Sequence, residues 1–82
     1  MKIRLIAFAR ARELLGSAER GITLPAGSTR IADLWHALVA TAPRIEEVRP
    51  SLRVARNGRL ASFDEELADG DEVALLPPVG GG

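Results

Sequence analysis

One stretch of this 82-residue chain carries an extended apolar stripe at helical spacing: Ile31, Leu34, Trp35, Leu38 and Val39. Such a stripe has to be buried, and with no second long amphipathic helix to receive it, one face of a sheet is the available partner. The staples that often support small domains are missing. The chain has no cysteine, which excludes disulfides, thiolate metal sites, cysteine-ligated iron–sulfur clusters and a cysteine nucleophile. Its single histidine, His36, excludes a His–His metal site or a histidine-based triad built within the chain. Apolar burial alone must hold one small domain, expected over residues 1–82, and a domain of this size buries only about 60% of its unfolded surface.

The segments around the helix read as strands. Residues 2–8 alternate, with Ile3, Leu5 and Ala7 on one side and Lys2, Arg4, Ile6 and Phe8 on the other. Residues 9–15 favour a short helix closed by Gly16, and residues 20–24 a second strand. The main helix is expected to take Ser28 or Thr29 as its cap, to hold Asp33 near its positive end, and to stop before Pro43. Residues 44–51 read as a polar connection and 52–56 as a strand. Asn57-Gly58 then marks a hairpin into 59–61, because both turn positions need positive φ. Asp69-Gly70-Asp71 makes a further turn before a last strand over 72–76. This order predicts an α+β fold of the β-grasp, ubiquitin-like type: a mixed sheet on one main helix, its two end strands parallel at the centre.

Charge is balanced in number and uneven in place. Residues 1–43 hold six bases and three acids, and residues 44–59 hold five arginines against Glu46 and Glu47. Residues 60–82 hold six acids and no base: Asp64, Glu65, Glu66, Asp69, Asp71 and Glu72. The bases are spread over several elements without interleaved aromatics, which argues against a nucleic-acid partner. The acidic run lacks the fixed spacing of a calcium loop, so turn and surface roles fit it better than a metal, with a basic protein partner near this end. No apolar run is long enough for a signal peptide or a membrane span, and the chain reads as cytoplasmic. No group of side chains looks catalytic; His36 falls near the solvent edge of the helix and Trp35 on its buried stripe.

The tail carries more information. Three glycines follow a strand and the stiff Pro77-Pro78-Val79, so Pro77, Pro78, Val79, Gly80 and Gly81 make a thin probe that ends in Gly82. Without Cβ atoms, its last residues can enter a narrow channel and let catalytic groups of a partner approach the terminal carboxylate. A carboxylate is a poor electrophile and needs activation, for instance by adenylation in a partner enzyme.

The stretch Phe8-Ala9-Arg10-Ala11-Arg12-Glu13-Leu14-Leu15-Gly16 resembles the F-A-x-x-R-E-L-x-G segment of the MoaD/ThiS sulfur carriers. So do Ser62-Phe63-Asp64, Leu67, and Asp69-Gly70-Asp71-Glu72-Val73-Ala74-Leu75-Leu76-Pro77-Pro78-Val79 with the closing Gly-Gly. Gly80 departs from the family, where threonine or serine is common. The resemblance implies a sulfur carrier without bound cofactor or metal. Its Gly82 carboxyl would be adenylated by an E1-like adenylyltransferase that uses ATP, converted to a thiocarboxylate by a sulfur donor, and inserted into the large subunit of molybdopterin synthase. There, in an expected heterotetramer, sulfur would pass to cyclic pyranopterin monophosphate. Catalytic side chains would belong to the partner.

Strand parity adds a docking surface. If Ile3, Leu5, Val73 and Leu75 face the helix, then Ile6, Phe8, Ala74 and Leu76 face outward, with Phe8 and Leu76 adjacent and Leu60 near them. Three competing functions remain at this point: a carrier for another pathway such as thiamine thiazole synthesis, a ubiquitin-like modifier joined to lysine through Gly82, and a passive interaction module. The first is disfavoured because those relatives are usually shorter and lack the stretch over residues 8–16.

Overall fold

A computed structural model describes residues 1–78. The chain forms β1 (Lys2–Ala7), α1 (Ala9–Leu15), β2 (Glu19–Thr23), α2 (Ile31–Thr41), a 3₁₀ segment (Pro43–Ser51), β3 (Arg53–Arg56), β4 (Arg59–Ala61) and β5 (Glu72–Leu76). The strands make one five-stranded sheet in the order β2-β1-β5-β3-β4. β1 and β5, from opposite ends of the chain, run parallel side by side, with Leu5 opposite Val73 and Ala7 opposite Leu75. This is the expected β-grasp arrangement. The boundaries of β1, β2 and β3 differ from the sequence reading by a single residue, as strand ends commonly do.

The core follows from parity. Ile3, Leu5 and Ala7 of β1, Val54 of β3, and Val73 and Leu75 of β5 lie on the face that receives Ile31, Leu34, Trp35 and Leu38 of α2. Alternation places every second side chain of a strand on that face, and the helical spacing of α2 supplies the matching stripe. Gly16 ends α1 at φ 79°, and Asn57-Gly58 turns the β3–β4 hairpin at φ 49° and 84°, as their sequence predicts.

Two local expectations fail. Neither Ser28 nor Thr29 caps α2. Arg30 stands at the cap position, and Asp33 reaches back to accept the N–H groups of Thr29 at 2.8 Å and Arg30 at 2.9 Å through Oδ2. The next two N–H groups, of Ile31 and Ala32, donate to the carbonyls of Glu65 at 3.0 Å and Phe63 at 2.8 Å. A distant loop has taken over what a local hydroxyl was expected to do. Residues 44–51 belong to a 3₁₀ segment in which Ile45 is fully buried, where a polar connection was expected. Ile45, Val48 and Ser51 recur every three residues, the period of this helix, and that spacing was the signal available in the sequence. Glu46, from the same segment, accepts the indole N–H of Trp35 at 3.0 Å.

Candidate functional site

The chain reaches the site from both ends at once. β1 closes on Phe8, whose N–H donates to the Leu75 carbonyl at 3.1 Å and continues the parallel ladder. The parity of that ladder puts Phe8 and Leu76 on the outward face, where both line one cavity. Phe8 is extended, at φ −123°, while Ala9 turns to φ 51° and sends the backbone out of the sheet into α1. A left-handed alanine stores about 1–2 kcal/mol of strain. Phe8, at this abrupt turn, is 47% exposed.

Outward parity holds as the sequence predicts. Ile6 pairs with Ala74, Ala74 with Ala55, and Ala55 with Leu60, so four apolar residues cross the sheet in one row. Leu60 is 61% exposed. Leu76 lies opposite Arg53. Phe8, Leu76, Pro77 and Pro78 line a cavity of about 60 Å³ with Val48 and Leu52. Leu60 shares the face with Phe8 and Leu76 and not their cavity; it lines a neighbouring groove with Arg53 and Pro78. Both depressions include Ser51, Leu52 and Pro78, so the root of the tail lies between them. Val79, Gly80, Gly81 and Gly82, the remaining predicted tail residues, lie outside the described residues.

Four of the six acids in the acidic run lie against arginines of other elements. Asp71 is buried and accepts from Arg56 Nε at 2.7 Å, Asn57 Nδ2 at 2.9 Å and the Ala68 N–H at 2.7 Å. Burial pushes its carboxyl up, and those three donors outweigh the effect, holding it below the usual carboxylate range. Glu65 lies 3.4 Å from Arg56, Glu66 3.9 Å from Arg30 and Glu72 3.9 Å from Arg4. Asp69 accepts the Lys2 N–H at 2.7 Å. These acids come from one stretch and meet bases from three others, a match that only the fold makes.

His36 and Trp35 lie where the helical spacing of α2 puts them. His36 is exposed, and Trp35 is buried with its ring edge-on to Phe63, centroids 6.0 Å apart. Among the described residues, no three His, Asp or Glu side chains gather as metal ligands, and no helix is long and apolar enough to cross a membrane. Ala9 and Arg53 escaped the sequence reading. The signal for Arg53 was present in the alternation of β3, which puts it on the face of Ala55; nothing in the sequence marks Ala9 as left-handed.

The model of the ThiS family matches residues 5–82. A molybdopterin synthase sulfur carrier subunit from Arabidopsis thaliana is 37% identical, over all of this chain and 84% of the relative. Its counterpart from Escherichia coli K12 is also 37% identical, over 98% of this chain and 99% of the relative. The crystal structure of small archaeal modifier protein 1 from Haloferax volcanii superposes with a TM-score of 0.81 at 32% identity, covering 95% of this chain and 98% of that one. With its sheet order, its motifs and its full-length relatives in agreement, the chain belongs to the ThiS family of β-grasp sulfur carriers.

Proposed function

We propose that the chain is the sulfur-carrying subunit of a molybdopterin synthase, with the sulfur held as a thiocarboxylate on Gly82. The observation that carries this reading is the exit of the tail. β5 is clamped between β1 and β3, ends at Leu76, and releases Pro77-Pro78 beside the outward apolar residues Phe8 and Leu76. A fixed strand therefore aims the tail, and a docking face lies at its root. The relatives named as sulfur carrier subunits of molybdopterin synthase support the same assignment.

The chemistry needs nothing from the body of this chain. A carboxylate oxygen of Gly82 attacks the α-phosphorus of ATP in an E1-like adenylyltransferase, and pyrophosphate leaves. Sulfide-level sulfur from a donor then attacks the acyl carbon, and AMP leaves with its phosphate oxygen to give the thiocarboxylate. The thiocarboxylate enters the large subunit, in a heterotetramer, and gives its sulfur to cyclic pyranopterin monophosphate. Phe8, Leu60 and Leu76 bind the partner, and residues 77–82 insert. ATP belongs to the activating partner, and the chain itself holds no cofactor.

A second reading is favoured by the likeness to the archaeal modifier protein: Gly82 forms an isopeptide bond with a lysine. Intact mass after incubation with an adenylyltransferase, ATP and a sulfur donor separates the two. The carrier gains the difference between sulfur and oxygen, whereas the modifier appears joined to a whole protein. An unchanged mass overturns both.

A further inference from the structure

The groove beside Leu60 is chemically unlike the Phe8 cavity. It is lined by residues from the end of the 3₁₀ segment, β3, β4 and the root of the tail at Pro78, and contains Arg49, Arg53, Leu60, Phe63 and Asp64. The guanidinium of Arg49 lies over the Phe63 ring, 3.7 Å from its centroid. Among the described residues, neither Arg49 nor Arg53 forms a salt bridge or donates a side-chain hydrogen bond.

The opposite end of the same sheet face is already neutralised. Arg4 lies 2.6 Å from Glu19 and 3.9 Å from Glu72. Near the start of β1 and β5 the arginine of the outward face, Arg4, is therefore paired with carboxylates. Where these strands end, the face is apolar with an unpaired arginine, since Arg53 stands directly across from Leu76. Unpaired cations around an exposed apolar centre are the complement of an acidic protein surface. A phosphate pocket would hold its guanidiniums by hydrogen bonds toward one point. Here one is stacked on an aromatic ring and the other stands on the sheet.

We infer that this groove receives an acidic segment of the protein that takes the tail, with carboxylates facing Arg53 and Arg49 and apolar side chains against Leu60. The inference rests on the reading that the tail enters a partner subunit. It places negative charge on that partner around the tail root, the reverse of what the acid-rich C-terminal sequence suggests. Asp64 also lines the groove, so its lining is not uniformly positive.

Association of the full chain with the large subunit of molybdopterin synthase from the same organism, followed by stopped flow, tests it. Arg53→Glu is expected to slow association about tenfold at low salt, and Arg53→Gln about threefold, with dissociation little changed. The differences should fade with added salt, since the screening length falls from about 30 Å at 0.01 M to about 3 Å at 1 M. Lys2→Glu makes the same charge change at the far end of β1 and should leave the rate near wild type. Arg53→Gln keeps the test decisive if the reversed charge disturbs β3. An association rate insensitive to both Arg53 variants overturns the groove and leaves the proposed function standing, as does equal slowing by Lys2→Glu. Failure of the wild-type chain to bind the large subunit at all overturns both.

Discussion

Arg56, the last residue of β3, donates through Nε to Oδ2 of Asp71, the residue before β5, at 2.7 Å. The bond sets the entry of β5 into the sheet. Asn57 reinforces it from the hairpin turn: its Nδ2 donates to Asp71 at 2.9 Å and its Oδ1 accepts the Glu72 N–H at 2.9 Å. The backbone N–H of Asn57 donates to the Glu72 carbonyl at 2.8 Å. This polar cluster therefore fixes the start of the strand whose other end leads into Pro77-Pro78.

Removing the acceptor should cost stability. Asp71→Ala leaves the Ala68 N–H and the Asn57 amide without their partner and is expected to destabilise the fold by about 1–3 kcal/mol, read by urea denaturation. Neutralising Asp69, Asp71 and Glu72 together should act first on folding, ahead of any effect on association, because Asp71 is a structural group. A triple variant as stable as wild type would contradict this.

The same carboxyl predicts an acid response. Its pKa is lowered in the folded state, so its contribution is full above the unfolded value of about 3.9 and is lost as pH falls through the lower folded value. The stability gap between wild type and Asp71→Asn should therefore be constant near neutrality and narrow below about pH 4. Denaturation series at several pH values check it; a gap that widens in acid has the wrong sign.

Capping of α2 rests on Asp33. Asp33→Ala should lower the thermal midpoint, whereas Thr29→Ala and Ser28→Ala should leave it nearly unchanged, because the helix takes no side-chain oxygen from either. Circular dichroism melts separate the three variants.

Burial and binding should divide cleanly between Ile45 and the outward face. Ile45→Ala removes a fully buried side chain and is expected to cost about 2–5 kcal/mol. Phe8→Ala should change stability little and weaken the large-subunit complex by about 1–3 kcal/mol or more. Calorimetric melting and titration calorimetry measure the two; a stability loss for Phe8→Ala equal to that of Ile45→Ala would reverse the assignment of faces.

Deleting Gly82, or adding one residue after it, should abolish sulfur loading while the melting temperature stays that of the parent chain. Loading of an extended, unprocessed chain, seen by intact mass, would remove Gly82 from the proposed chemistry.

Local residue patterns were enough to define the elements and their sidedness. Alternation in residues 2–8 and 72–76 is a backbone consequence of the strand, so Ile3, Leu5, Val73 and Leu75 were assigned to the core and Phe8 and Leu76 to the surface without coordinates. Asn57-Gly58 and Gly16 announced their turns because few residues accept positive φ. The tail motif was equally local. The remaining features depend on groups far apart in the chain and emerge only on folding. The N–H groups of α2 are met by carbonyls of the 63–65 loop, which displaces Ser28 and Thr29 as caps. Ile45 is buried because the 3₁₀ segment packs against α2, although its neighbours are charged. Four of the six acids crowded into one stretch of sequence meet arginines from β1, β3 and the start of α2, while Arg53 stays unpaired among the described residues beside the tail root. Charge along a chain is a matter of order; charge on a surface is a matter of distance, and only folding sets which opposite charges come close enough to cancel.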